Sequence, residues 1–508
     1  MDTSTFLTVL GIIMTPTNLL LTFIGAFVGI FVGAMPGLSS IMGLSLMLPL
    51  TLKFEGTSGI LMLLGVFCGA IYGGSITAIL IKTPGTANSA ATCIDGYPLT
   101  QKGQAARALG ISTFASTFGG LFSAVMLLWT APMLSKVALS FTSPEYFALA
   151  IFGLSMVISL SSKNVIKGLI SGVLGLVLAS VGMDALTGVK RFTFGSTYLL
   201  GGIEMVPVLI GLYALSQGLV NTESGSHERI RSSEKIRHTF PKWADLKQTF
   251  PTMLGSSIIG TLVGAIPGTG GDIASWLAYN ETRRFSKHPE EFGTGRLEGV
   301  AAPEAANNAV SGGALIALLT LGIPGDAGTA VMLGALMMQG IVPGPLLFTQ
   351  STDKVYTIIV GLFIANIFMG LLGFLGIRLF SKIGDVDNKY LTPIVFVFCI
   401  VGTFAINNSV KDIYLMLIVG VVAYFLAKMD FPMPPIILGL ILGDTLEKNL
   451  QRSLIISNGS FRIFLERPIC LGLLIVAFAG IFLPSIIKAV SSAVGKAIDK
   501  KKNLNTAS

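Results

Sequence analysis

Charge is what this sequence has least of. Lysine, arginine, aspartate and glutamate make up 12% of its 508 residues, about half the share carried by soluble domains. Histidine occurs 3 times, as His227, His238 and His288, each in a polar stretch. That leaves no histidine set for a catalytic metal. The motifs G-x-S-x-G, H-E-x-x-H and G-x-x-x-x-G-K are absent as well, which argues against a membrane enzyme. The 4 cysteines, Cys68, Cys93, Cys399 and Cys470, show no C-x-x-C spacing. Three of them lie in apolar runs and read as small buried residues, not as a disulfide framework. The opening Met-Asp-Thr-Ser-Thr carries no positive charge, so no cleavable secretory signal is expected.

Apolar residues and glycine fill the space that charge leaves. Hydrophobic residues are 52% of the chain, with 60 glycines and 19 methionines, and the mean hydropathy is +0.77. Such a chain is a multi-pass protein of the lipid bilayer, its glycines letting helix backbones approach closely. The net charge of +8 then reads as loop lysines and arginines facing the cytoplasm, not as a nucleic-acid footprint. A spanning helix needs about 20 apolar residues. Stretches suited to the membrane fall at 18–35, 59–81, 108–134, 146–160, 165–183 and 199–220, then at 249–266, 309–323, 355–380, 393–406, 413–427, 432–446 and 469–487. Segments 41–52, 272–279 and 327–342 are shorter arms, 6–14 is an interfacial helix, and 87–107 and 280–298 read as polar loops.

Four Pro-Gly pairs interrupt these runs. Pro267-Gly268 and Pro324-Gly325 break the second half, Pro36-Gly37 and Pro84-Gly85 the first. Around the first break of each half, Gly25, Gly29, Gly33, Pro36 and Gly37 align with Ser256, Gly260, Gly264, Pro267 and Gly268 at a constant offset, 267 − 36 = 231. Around the second, 73–86 matches 312–326 with offsets of 312 − 73 = 239 and 324 − 84 = 240. Prolines match as well as glycines, which chance similarity of glycine-rich helices does not explain. The expected fold is an all-α polytopic membrane protein of two inverted repeats, each with broken, re-entrant helical hairpins, and about 10–12 membrane-crossing elements. The repeats are 1–220 and 249–487. Between them lies a basic cytoplasmic linker, 221–248, where Arg229, Arg231, Lys235, Arg237, Lys242 and Lys247 face four acids; a lysine-rich tail, 488–508, follows.

A broken helix in hydrocarbon survives only inside protein or beside a polar cavity. Its second arm begins with amides that lack internal partners and with the positive end of a macrodipole, so it holds carboxylate or phosphate without a basic side chain. Only Lys82 lies within two residues of a break, whereas hydroxyls and amides abound there: Ser39, Ser40, Thr83, Thr86, Asn88, Ser89, Thr269 and Thr329. These residues, with the four Pro-Gly pairs and Asp326, form the expected site for an anionic organic substrate. Helix capping is the plainer role for any one of them. Asp272 and Asp326 each begin a half-helix, where capping suffices and holding a coupling cation is the alternative. Glu304, just after Pro303, is expected in the first turn of a helix, where the dipole alone favours it. Asn307 and Asn308 follow in an apolar run and are costlier to explain structurally. Asp272, Glu304, Asn307 and Asn308 are therefore the candidates for a coupling ion; no other cofactor is expected.

Long motifs in these same regions resemble the large membrane subunit of the tripartite tricarboxylate transporters. They are G-A-M-P-G-L (33–38), K-T-P-G-T (82–86), D-G-Y-P-L-T-Q-K-G (95–103), Y-N-E-T-R-R-F-S-K-H-P-E-E-F-G-T-G (279–295), E-G-V-A-A-P-E-A-A-N-N-A (298–309) and G-I-P-G (322–325). The resemblance implies a secondary transporter of the bacterial inner membrane. It also implies a small membrane subunit and a periplasmic solute-binding protein as partners, and uptake of carboxylates such as citrate with proton or sodium coupling. Two positions depart from the family pattern: Ala87-Asn88-Ser89 after Thr86, and Asp326 after Gly325. The competing reading is a passive anion channel, since duplicated re-entrant hairpins also line pores.

Overall fold

The computed structural model describes residues 3–54, 56–161, 164–184, 187–224, 240–380 and 388–481. Most of the basic linker, including Arg229, Arg231, Lys235 and Arg237, lies outside the described residues, as does the whole 488–508 tail.

Glycine spacing builds the first hairpins. Helix α1 (Thr3–Ile13) precedes α2 (Pro16–Gly33), which Pro16 starts and the Thr15 hydroxyl caps by accepting from the Asn18 amide. Beyond the first break, α3 (Ser40–Thr51) begins at Ser39, whose hydroxyl accepts from the Met42 amide at 3.1 Å. Helix α4 (Ser58–Ile81) is buried along nearly its whole length. It meets α2 backbone to backbone. A Cβ at Gly25, Gly29 or Gly33 would lie 2.1–2.4 Å from the carbonyl oxygen of Met62, Val66 or Ala70, and one at Gly65, Gly69 or Gly73 would lie 2.4–2.5 Å from that of Thr22, Ala26 or Ile30. Small residues every fourth position are what allow this approach.

Residues 87–107 are not a loop. After a 3-10 turn (Ala87–Ser89), α5 (Cys93–Gln101) folds with Pro98 inside it and Asp95 fully buried in its first turn. Then come α6 (Ala105–Ala138), α7 (Ser143–Ser161) and α8 (Val165–Ala179). Where a span was expected to run on to 183, a short antiparallel pair forms instead, β1 (Gly182–Met183) with β2 (Lys190–Arg191). The last helix of the first half starts later than expected, as α9 (Met205–Leu209), a π-helical turn (Ile210–Leu215) and α10 (Ser216–Ser224).

The second half repeats the plan with α11 (Trp243–Gly264), α12 (Gly270–Phe285), α13 (Leu297–Leu321) and α14 (Ala327–Met338). Helix α12 continues into the stretch expected to be a charged loop, and α13 begins at Leu297 instead of 309. A short α15 (Leu347–Gln350) leads into α16 (Thr352–Phe380), α17 (Asn388–Asn407), α18 (Val410–Lys428), α19 (Pro434–Ile456), α20 (Ile463–Glu466) and α21 (Pro468–Ile481). Among the described residues, 6 helices are long and apolar enough to cross a membrane, and seven shorter apolar helices accompany them. Large apolar side chains such as Trp129, Leu375 and Ile418 lie exposed on their surfaces, as lipid contact requires. The protein is an all-α, multi-pass membrane protein.

The chain divides into two compact units, Met1–Ser140 with Gly201–Met433 and Phe141–Leu200 with Pro434–Ser508. In the second, α19 packs on α7 and α8, where a Cβ at Gly175 would lie 2.1 Å from the Ile436 carbonyl oxygen. In the first, α17 and α18 pack on the π-helical turn and α10. The two arrangements correspond. Met205, Pro207 and Gly211 match Met433, Pro435 and Gly439 with one offset, 433 − 205 = 439 − 211 = 228. The segment α9–α10 of the first half thus packs on α17 and α18, and its counterpart α19 packs on α7 and α8.

Candidate functional site

The four breaks and the helix arms that leave them form a ring, all within the larger unit. Gly85 donates its amide to the Gly74 carbonyl at 3.1 Å, and a Cβ on it would lie 2.0 Å from the Gly33 oxygen. The first and second breaks are thereby joined. In the second half, Gly268 donates its amide to the Gly325 carbonyl at 2.7 Å, and a Cβ on Gly325 would lie 2.3 Å from the Gly264 oxygen. Across the halves, Gly271 of α12 faces Asn88: a Cβ there would meet Asn88 Nδ2 at 2.6 Å and Asn307 Oδ1 at 2.4 Å. Gly328 of α14 faces Phe67 and Leu44, the latter on α3. Backbone groups freed at the breaks find partners inside the protein, Gly268 on the neighbouring break, Gly85 on α4 and the Gly37 carbonyl on Asn221, which is how interrupted helices persist at membrane depth. Gly37 and Gly268 take the left-handed conformation, with φ of 89° and 85°, that a Cβ disfavours.

The helix starts around this ring are not alike. At α14, Asp326 is the cap: its Oδ1 accepts from the Thr329 amide and hydroxyl, both at 2.7 Å, while Asp326 donates its own amide to Thr329 Oγ1. A protein carboxylate therefore already occupies the place of an anion there. At α12, Asp272 sits in the first turn and is exposed, and Thr269 donates its hydroxyl to the Val263 and Ile266 carbonyls that end α11. In the first half, the start of α3 and the 3-10 turn after the second break carry no acid; the nearest is Asp95 in the first turn of α5, turned to the 293–296 amides. At α3 the cap is Ser39, with half-buried Ser40 after it and Asn221 donating to the Gly37 carbonyl at 2.8 Å. At the second break Thr86 and Ser89 share a hydrogen bond of 3.2 Å, and Asn88 is left to face Asn307. Lys82, exposed, extends over the Tyr97 ring at 5.8 Å and not into the ring of breaks.

Helix α13 carries the remaining candidates, and Glu304 stands differently from expectation. With the helix starting at Leu297, Glu304 lies two turns inside it and is fully buried, so a first-turn dipole contact does not account for it. Its partners are hydroxyls from the other half of the chain. Thr92 donates to Oε1 at 2.5 Å, Ser116 of α6 donates to Oε2 at 2.9 Å, and the Ser112 hydroxyl of α6 lies 3.3 Å from Oε2. Asn307 and Asn308 are buried, and each leaves its Oδ1 without a hydrogen-bond partner. Asn307 donates to the Ile71 carbonyl at 3.4 Å and Asn308 approaches the Met369 sulfur at 3.2 Å. An orphaned buried carbonyl oxygen is costly unless something else binds it.

Two features escape sequence reading altogether. One is the hydroxyl set that receives Glu304; Ser112 and Ser116, four apart on α6, were its only local trace. The other is Asp95, whose Oδ1 accepts three backbone amides, from Gly293, Gly295 and Arg296 at 2.8–2.9 Å, and whose Oδ2 accepts the Tyr279 hydroxyl at 2.9 Å. Asp95 pins the segment between α12 and α13 onto α5.

Comparison with known proteins decides the family. The sequence model of the Tripartite tricarboxylate transporter TctA family matches residues 19–438. The chain belongs to this family. It is a family of transporters, not of enzymes, whose members work in assemblies of several subunits. A relative from Agrobacterium vitis, described as an uncharacterized 52.8 kDa protein in the TAR-I ttuC' 3' region, is 37% identical over 476 residues, 93% of this chain and 95% of that one. A second, from the TAR-II ttuC' 3' region of the same organism, is 38% identical over 230 residues, 45% of this chain and 95% of its own length. No solved structure matches.

Proposed function

We propose that this TctA-family chain is the translocating subunit of a secondary transporter that imports an organic di- or tricarboxylate across the bacterial inner membrane. A periplasmic binding protein delivers the substrate, a small membrane subunit completes the assembly, and a proton or sodium gradient drives uptake. The observation that carries this reading is the asymmetry of the ring. In the first half, the start of α3 at Ser39–Ser40 and the 3-10 turn at Thr86–Asn88 offer amide and hydroxyl donors and no acid of their own, which suits a carboxylate. Those in the second half carry Asp272 and Asp326, and with Glu304, Asn307 and Asn308 they offer oxygens to a cation. Substrate and coupling ion would meet at the contact of Asn88, Gly271 and Asn307. Uptake of radiolabelled succinate, malate and citrate into proteoliposomes holding the reconstituted assembly tests it. Accumulation that collapses when proton and sodium gradients are both removed supports the transporter; flux that only equilibrates, whatever the gradient, makes the chain a pore.

A further inference from the structure

We propose, resting on the transport reading above, that Glu304 is the proton-binding group of the transporter and rests as the neutral carboxylic acid, donating its hydrogen to Ser112. The argument is a hydrogen count. Five contacts join Glu304 to the hydroxyls beneath it: Thr92 to Oε1 at 2.5 Å, Ser116 and Ser112 to Oε2 at 2.9 and 3.3 Å, Ser112 to Ser75 at 2.8 Å, and Ser75 to the Tyr72 carbonyl at 2.8 Å. Four hydroxyls supply four hydrogens. The Tyr72 carbonyl can only accept, so it takes the hydrogen of Ser75. Ser75 must then receive that of Ser112, and the contact between Ser112 and Oε2 is left with none. A hydrogen on Oε2 completes it, and all five contacts become hydrogen bonds running one way along the chain.

The surroundings agree with a neutral group. Among the described residues no lysine, arginine or histidine pairs with Glu304, and a buried carboxylate without a cation is expensive. The titratable groups facing it are Tyr72 of α4 and Cys93 of α5. Helix α6 presents serines at this point, Tyr279 of α12 is bound to Asp95, and Asp245 of α11 is paired with Arg107. Thr92 and Glu304 Oε1, 2.5 Å apart, share the Thr92 hydrogen.

The location links this proton to substrate. Asn307, one turn along α13 from Glu304, faces Asn88, and Thr92 lies on the segment that follows Asn88. A carboxylate binding at Asn88 would shift the segment that holds Thr92 against Oε1. The step is a single proton exchange: hydronium on the loading side gives its proton to the carboxylate and becomes water, and water on the release side takes the proton and becomes hydronium.

Infrared difference spectra of purified wild type, Glu304→Gln and Ser112→Ala at pH 7 test the assignment. A protonated-carboxyl carbonyl band should be present in wild type, vanish in Glu304→Gln and shift in Ser112→Ala, which loses the acceptor. A wild-type spectrum whose acid band survives Glu304→Gln overturns the proposal. Should Glu304→Gln fail to reach the membrane, Ser112→Ala decides alone: an unshifted band overturns it. In proteoliposomes, succinate, malate or citrate accumulation driven by an imposed pH gradient should fall at least tenfold in Glu304→Gln. Wild-type uptake driven by sodium and indifferent to the pH gradient refutes proton coupling but leaves the transporter standing. Absence of any carboxylate uptake, with the band still present, refutes the transport reading instead.

Discussion

Replacing Asp95 should loosen the segment between α12 and α13 by an amount that the structure allows to be worked out. In Asp95→Ala three backbone amides, those of Gly293, Gly295 and Arg296, lose the oxygen they share, and Tyr279 loses its acceptor. An unsatisfied buried donor costs about 1–3 kcal/mol. Gly293 is exposed, so water reaches this edge and the low end applies, about 3 kcal/mol for the three amides together. Local opening that exposes the Arg296–Leu297 bond should then become about 100-fold more populated, since 1.36 kcal/mol is tenfold. Tryptic cleavage at that bond in detergent, at protease levels where cleavage follows the open population, should accelerate by the same factor. Asp95→Asn keeps an oxygen for the amides and loses the charge, so it should cost about 1–2 kcal/mol, roughly tenfold in cleavage. Cleavage of Asp95→Ala at the wild-type rate would falsify the latch.

Gly85→Ala and Gly325→Ala should each cost at least about 3 kcal/mol, the upper end for overpacking, because the added carbon meets Gly33 or Gly264 oxygen at 2.0 and 2.3 Å. Yield of monodisperse protein from detergent should drop for both, and wild-type yields would mean the ring can relax. Asn88→Ala removes a half-buried side chain at the second break, so it should raise the KM for uptake about 10-fold or more while expression holds; an unchanged KM takes Asn88 out of the substrate site. Cysteines placed at Ser226 and Ser351 in a cysteine-free chain should label from opposite sides of the membrane, following the basic residues of the linker. Labelling from one side only ends the inverted-repeat topology.

The four breaks were legible because Pro-Gly is a local signal, and the duplication because glycine must recur wherever two backbones touch. The reach of α13 was not. Pro303, Glu304, Asn307 and Asn308 weaken a helical pattern read locally, yet the polar groups find partners on α4, α6 and α16. Helix α5 was hidden for the same reason. Gly96 and Pro98 have turn chemistry in isolation, and only the amides of Gly293, Gly295 and Arg296, some two hundred positions along the chain, make a buried aspartate tenable at the helix start. The capping of α14 by Asp326 was legible from position alone, whereas the acid-free starts at Ser39–Ser40 and Thr86–Asn88 gained meaning only within the ring.

The position of bound substrate tests the account most directly. In a structure of the reconstituted assembly with its carboxylate bound, the substrate should lie within the ring, its carboxylate groups toward Ser39–Ser40 and Thr86–Asn88 and away from Asp272 and Asp326. A carboxylate found more than one helical turn, about 5 Å, from all four breaks would contradict it.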